Sequence, residues 1–317
     1  MTGTIANNER VVLISGCSAG GIGHHLALEL AAHGCRVFAG VRTLSKAQTL
    51  VDNPLIEAVE LDVTDDASVD AAVAYVLAAT GGRIDMLVNN AGVNCVGPAI
   101  EAPLDQVQQV FNTNFIGLAR LCRAVAPIMM DRRQGTIVNV GSVAGYAASP
   151  WFGHYTATKA AVHAYSDSLR MELAPFGVNV VVVAPGRIKS HIVDNYSVDL
   201  LDINTRYSMA RPAIEKAATF SQGEGATSTS QFAHVVVPKI LRSSPPAYVT
   251  YGDASTSIWC MYYVPPIILD YLVSHYFGTY QLAKDLHSPS ISKSATNSAV
   301  VGVALAAVVL GVFYVLF

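Results

Sequence analysis

Charge is scarce in this chain. Only 14% of its 317 residues are Asp, Glu, Lys or Arg, and the formal net charge is -3. No basic stripe is available for a phosphate backbone, so no nucleic acid is expected as a partner. Cysteine is sparse too: Cys17, Cys35, Cys95, Cys122 and Cys260 lack paired or metal-ligand spacing. That excludes a disulfide scaffold and suits buried free thiols in a reducing compartment. The nine histidines form no ligand pattern, and no metal site is expected. MTGTIANNER, at the start, has neither a basic cluster nor an apolar run, so no signal peptide is read there. Apolar residues, in contrast, make up 52% of the chain. The length fits one α/β domain of about 250 residues plus a tail.

In chain order, Val11 to Ser15 (VVLIS) reads as a buried strand. Gly16-Cys-Ser-Ala-Gly20-Gly21-Ile-Gly23 follows, and then HHLALELAAHG, helical in period and ending at Gly34. A glycine-rich turn between a strand and a helix lets backbone amides and the helix N-terminus approach a pyrophosphate. Arg36 to Val41 is the next strand, and Arg42 stands after it, where a carboxylate usually meets the ribose diol of NAD. An arginine attracts a 2′-phosphate instead, so NADP(H) is the expected cofactor. Ile56 to Leu61 reads as a third strand before Asp62-Val63, Ser68 to Thr80 as a helix, and Ile84 to Gly92 as a strand ending in Asn89-Asn90-Ala91-Gly92. Leu104 to Met130 is a long helical region with Asn114 at a bend. Strands follow at Thr136 to Val140, Val178 to Ala184 and Ala247 to Tyr251, with a helix over Gln231 to Arg242. Unbroken apolar strands such as VNVVVVA are expected where helices cover both faces of a parallel sheet.

The chemistry gathers between Gly141 and Lys159. Tyr155 and Lys159 are spaced i,i+4, so on a helix they share one face. A free phenol titrates near ~10, and a neighbouring ammonium favours the phenolate and lowers that value. Ser142, at the end of the TIVNV strand, is placed to hold a substrate oxygen while Tyr155 gives or takes the proton.

The order of these motifs, closing with Pro185-Gly186, resembles the short-chain dehydrogenases/reductases closely from Arg10 to Ile192 and more loosely to Asp253. The resemblance implies a doubly wound Rossmann-like parallel sheet of about seven strands. Tyr155 would be the general acid/base. Lys159 would lower its pKa and hold the nicotinamide ribose, Ser142 would orient the carbonyl, and Asn114 would hold a relay water. Gly16, Ser18, Gly21, Ile22 and Gly23 would cradle the pyrophosphate, Asp62 and Val63 the adenine, and Asn90, Ala91 and Gly92 the strand beside the cofactor. Pro185, Gly186, Ile188 and Ser190 would form the nicotinamide-side loop. The glycine turn departs from the family by one inserted residue, four standing between Gly16 and Gly21 instead of three. GCSxGGIG resembles a membrane-associated branch that includes fungal 1-acyl-dihydroxyacetone-phosphate reductases.

The organisation expected is an extension over 1–9, the catalytic domain over 10–254 with a substrate-covering region near 187–230, an apolar aromatic segment over 255–286, a linker over 287–298 and a membrane anchor over 299–317. In the covering region Tyr196, Tyr207, Met209 and Phe220 are available to line an acyl or steroid pocket, or to pack. Two readings fit Trp259 to Phe277: a segment dipping into a bilayer interface, or a helix closing the substrate pocket. Ala299 to Phe317 holds nineteen uncharged residues, which at ~1.5 Å each span the hydrocarbon core. The protein is therefore expected to be an NADPH-dependent reductase of a lipid-like carbonyl. Its domain would face the cytosol, anchored to the endoplasmic reticulum or lipid droplets. The first substrate expected is 1-acyl-dihydroxyacetone phosphate, with a hydroxysteroid, retinoid or other ketone as runner-up; the oligomeric state stays open. A non-catalytic NADP(H)-binding tether is the competing reading of another class, against which Ser142, Tyr155 and Lys159 stand.

Overall fold

The computed structural model describes residues 9–192 and 206–287. Strands β1 (Val11–Ser15), β2 (Arg36–Val41), β3 (Ile56–Glu60), β4 (Met86–Asn89), β5 (Gly135–Val140), β6 (Val178–Pro185) and β9 (Tyr248–Tyr251) form one seven-stranded sheet in the order β3-β2-β1-β4-β5-β6-β9. Every neighbouring pair in it is parallel. Two short strands, β7 (Ile188–Lys189) and β8 (Thr227–Ser228), pair beside it. Because alternate residues of a strand face opposite ways, two cores arise. Val12, Ile14, Val37 and Val183 meet helices α1 (Ile22–Ala32) and α7 (Thr229–Ile240). Val11, Leu13, Phe38 and Val180 meet α2 (Asp66–Thr80), α4 (Gly117–Asp131) and α5 (Gly153–Leu173). The Rossmann-like sheet with helices on both faces is thus present as expected.

The strand order reverses between β1 and β4, and in open α/β sheets the ligand crevice lies at that switch point, beyond the carboxyl ends of the strands. A buried chain of amides fixes the neighbouring strands there. Asn89 Nδ2 donates to Asn139 Oδ1 across 2.8 Å, Asn139 Nδ2 donates to Ser166 Oγ across 2.8 Å, and Ser166 Oγ donates to Val162 O. This couples the ends of β4 and β5 to α5.

The long helical region is real but divided. Helix α3 (Leu104–Phe111) passes through a π-helical turn over Asn112–Ile116 into α4. Pro127 sits inside α4 without ending it. The region near 187–230, read from the sequence as covering the substrate, carries β7, α6 (Arg211–Ala218) and β8 among its described residues. Beyond β9 the chain forms α8 (Ser255–Met261), α9 (Pro266–Tyr276) and α10 (Thr279–His287). These dock on the domain through Trp151, which is 6% exposed and donates from Nε1 to Phe277 O across 2.8 Å. Trp151 takes φ +72°, a conformation disfavoured for a bulky side chain and held by its surroundings. Four cysteines are buried and Cys260 is half-buried, all of them free thiols. Among the described residues no helix is long and apolar enough to cross a membrane, and no group of side chains is arranged for a metal ion. The expected anchor over 299–317 and Tyr196 lie outside the described residues.

Candidate active site

A cavity of about 630 Å³ runs along the carboxyl edge of the sheet. One end is built by the turn after β1. Gly16 has φ +75°, and a Cβ there would sit 2.8 Å from Ala91 Cα, so the turn closes against the end of β4 only with glycine. A Cβ on Gly23 would lie 2.4 Å from Asn90 Nδ2 and 2.5 Å from Gly16 O. Asn90 ties the two loops together, its Nδ2 donating to Ser15 O (3.0 Å) and Gly16 O (2.9 Å). Helix α1 starts from Gly21 with no side chain capping its amides. Those amides and the positive end of the helix are therefore available to an anion. Gly16, Ser18, Gly21 and Ile22 line the cavity; Gly23 does not, serving close packing instead.

Arg42, Asp62 and Val63 line the same end. Burial pushes the Asp62 carboxyl up. Hydrogen bonds from Thr64 N (2.9 Å) and Thr64 Oγ1 (2.7 Å), with the charges of Arg42 and Arg120, outweigh it and hold the group below its ordinary value. Asp62 is thus an anion that shapes its loop. Asn90, Ala91, Gly92, Pro185, Gly186, Ile188 and Ser190 continue the wall towards the middle.

There Ser142, Tyr155 and Lys159 converge on one cavity. Ser142 follows β5 in extended conformation (φ -172°), its Oγ accepting from Ala144 N across 3.1 Å. Tyr155 and Lys159 share a face of α5, with Nζ 5.7 Å from the phenol ring centroid. Lys159 is 4% exposed and donates to Val140 O across 2.9 Å. Burial lowers its pKa to about 8. The Tyr155 phenol differs from the expectation that Lys159 depresses it. Burial raises it above its ordinary value, and the partial offset comes from a hydrogen bond with Ser142. The phenol is accordingly protonated at neutral pH.

Asn114 does not line the cavity; it is 1% exposed in the π-helical turn. Its Oδ1 accepts from Val93 N (2.8 Å), and its Nδ2 donates to Val93 O (2.9 Å) and Thr158 Oγ1 (3.1 Å). The amide pins the loop after β4 to α5, one residue before Lys159. Sequence reasoning did not single out His163, four residues beyond Lys159 on the same helix face. Ser142 N donates to His163 Nε2 across 3.5 Å. The i,i+4 series Tyr155, Lys159, His163 was the available signal.

The far side of the cavity is apolar. Phe152, Ile258, Met261, Leu272, Val273 and Phe277 line it, so α8 and α9 wall the cavity. Phe220 lines it as well. Tyr207 packs edge-on against Trp151, centroids 5.6 Å apart, and Met209 is 52% exposed; neither lines the cavity.

Residues 10–200 match the family described as short chain dehydrogenase. The chain belongs to that family. Short-chain dehydrogenase ptmH of Penicillium ochrochloron is 36% identical over 265 residues, 83% of this short-chain dehydrogenase and 96% of that protein. The NADPH-dependent 1-acyldihydroxyacetone phosphate reductase of Schizosaccharomyces pombe is 41% identical over 184 residues, 58% of this chain and 62% of that one. Among solved structures, a short-chain dehydrogenase from Streptomyces avermitilis shares the fold with a TM-score of 0.72 at 28% identity, covering 88% of this chain and 99% of its own. The protein is thus an oxidoreductase of CH–OH and C=O groups.

Proposed function

We infer that this enzyme uses NADPH to reduce a ketone of a lipid-like substrate to an alcohol. The observation that carries the reading is one cavity lined both by Ser142, Tyr155 and Lys159 and by apolar side chains of α8 and α9. The residues present suit the cofactor: uncapped amides at Gly21, the glycine cradle, and Arg42 for a 2′-phosphate. The NADPH dependence named for the Schizosaccharomyces relative agrees with this.

Bound there, the nicotinamide supplies the hydride. Ser142 holds the carbonyl oxygen, and Tyr155, kept protonated by burial, delivers the proton to it. Lys159 holds the ribose side, and Asn114 keeps the loop after β4 fixed against α5 beside it. The apolar wall excludes water and grips the substrate's hydrocarbon.

The first substrate is 1-acyl-dihydroxyacetone phosphate, supported by the 41% identical relative. A neutral ketone such as a hydroxysteroid or retinoid is the second reading, and a specific observation favours it. Among the described residues, the lining side chains that carry positive charge are Arg42, Lys159 and Arg187, none from α8 or α9, and Arg187 is paired with Asp253 at 2.8 Å. Ala299 to Phe317 would hold the enzyme on a cytosol-facing membrane, the endoplasmic reticulum or lipid droplets, where such substrates partition.

NADPH oxidation in detergent, with the acyl phosphate beside a steroid ketone and a retinal, tests the reading. Turnover of the acyl phosphate that disappears in Tyr155→Phe supports it; turnover of the neutral ketones alone moves the substrate to the second reading; activity surviving in Tyr155→Phe overturns the mechanism. Carbonate extraction of membranes tests the anchor.

A further inference from the structure

The helices that wall the pocket leave an uncharged aromatic face outside. Trp259 is 42% exposed, Tyr262 63%, Tyr263 68% and Ile267 80%, with Pro265 and Pro266 exposed between them. The rings are contiguous: Trp259 and Tyr263 centroids lie 5.4 Å apart, Tyr263 and Tyr262 5.2 Å. No charged side chain occurs from Ala254 to Leu269. Contiguous exposed apolar surface of this kind marks a site of association. On their inner side the same helices give Met261 and Leu272 to the cavity, and Tyr276 both lines it and is 52% exposed, which marks a rim.

We propose that the face from Trp259 to Ile267 lies in the interfacial layer of a lipid bilayer and brings the rim of the substrate pocket to the membrane surface. A lipid-like ketone then enters from the bilayer without crossing bulk water. The occupant follows from the chain beyond α10. Eleven residues, 288–298, separate His287 from the uncharged stretch Ala299 to Phe317, and a connector of that length reaches at most ~40 Å. Inserting the stretch therefore keeps α8 and α9 within reach of the headgroups. Tryptophan and tyrosine are the side chains favoured at that depth, ring in the apolar layer and polar edge in the wet one. A protein partner would meet a face with no charge to set its register, which favours lipid. The inference rests on the membrane-held reading given above.

The chain has two tryptophans, and Trp151 is only 6% exposed, so a quencher carried by lipid reports on Trp259. Full-length protein is reconstituted with phosphatidylcholine vesicles bearing a nitroxide near the headgroup end of the acyl chain, and then floated. Floating protein should lose the Trp259 share of its emission. Trp259→Phe should abolish that loss, and Ile267→Asp should diminish it while the protein still floats. Failure to float overturns anchor and proposal together. Flotation with Trp259 reached by aqueous iodide but not by lipid nitroxide overturns the docking face alone. Protection from both quenchers means a second copy or Ala299 to Phe317 covers the face, and also overturns it. No turnover is read, so the same quenching in Tyr155→Phe separates this result from the fate of the reductase reading.

Discussion

A Cβ added to Gly20 would lie 2.5 Å from Nε2 of His191, and Gly20 itself has φ +73°. The lengthened glycine turn thus leaves room at Gly20 for an imidazole arriving just after β7, and both Ser18 and His191 line the cavity. Gly20→Ala should weaken NADPH binding by about tenfold, since a side chain at positive φ costs roughly 1–2 kcal/mol before any clash. Adding His191→Ala should return the steric part of the loss but not the backbone part. Cofactor fluorescence titration of both variants reads this; unchanged affinity in Gly20→Ala would show that Gly20 is idle.

Lys159 gives the reaction a pH limb. Its pKa falls from 10.5 to about 8 through burial, so the ammonium beside the phenol is lost as pH rises through about 8. The rate of carbonyl reduction should fall over that window, while Lys159→Met should be slow throughout and lack the limb. The stability effect has the opposite sense. The unfolded lysine keeps its proton to higher pH than the folded one, so this group adds stability as pH rises from about 8 towards 10.5. A reduction rate that stays flat from pH 7 to 9.5 would count against Lys159 as the titrating group.

His163 sits behind Ser142. A Cβ on Gly141 would lie 2.3 Å from its Nε2 and one on Gly145 2.6 Å from its Cε1; the loop wraps the ring where only glycine leaves space. Burial, and then the charge of Lys159, lower its pKa from 6.5 to about 4, with Asp167 opposing. Between these values the unfolded chain binds a proton that the folded one refuses, so stability is full above pH 6.5 and declines towards pH 4, by up to about 3 kcal/mol. Urea unfolding across that range should show the decline in the native enzyme and a flatter profile in His163→Gln. The same variant should lower kcat through displacement of Ser142 while leaving NADPH affinity near native.

Most of the cofactor end was legible in the sequence because backbone geometry leaves a signature in residue type. Gly16 and Gly23 announce close approach, and the run VVLIS fixes the strand before them. Tyr155 and Lys159 were legible through helical spacing taken together with the motifs around them. Asn114 was found by motif, but its bonds to both polar groups of Val93 depend on a π-helical turn, a register shift that no local pattern in FNTNFIG reveals. Packing across the chain was invisible. The pocket wall from α8 and α9 depends on Trp151 donating to Phe277 O, 126 residues away, and the shift of Tyr155 follows from enclosure rather than from the neighbouring lysine.

Arg42 is the residue expected to decide between the two nicotinamide cofactors. It lines the cavity beside Asp62, and its charge is among the influences that lower the Asp62 pKa. The guanidinium therefore stands close enough to one anion to be felt, and a 2′-phosphate would add a second on the open side. A charge-assisted hydrogen bond of that kind contributes about 1.5–3 kcal/mol, which corresponds to roughly ten- to hundredfold in affinity. Arg42→Ala should weaken NADPH binding by that factor and leave NADH binding nearly unchanged, because NADH has no 2′-phosphate to lose. Arg42→Asp should go further, turning the preference towards NADH by repelling the phosphate and accepting from the ribose diol. Equal losses for both cofactors in Arg42→Ala would assign the arginine to the loop's own stability through Asp62, and not to cofactor choice.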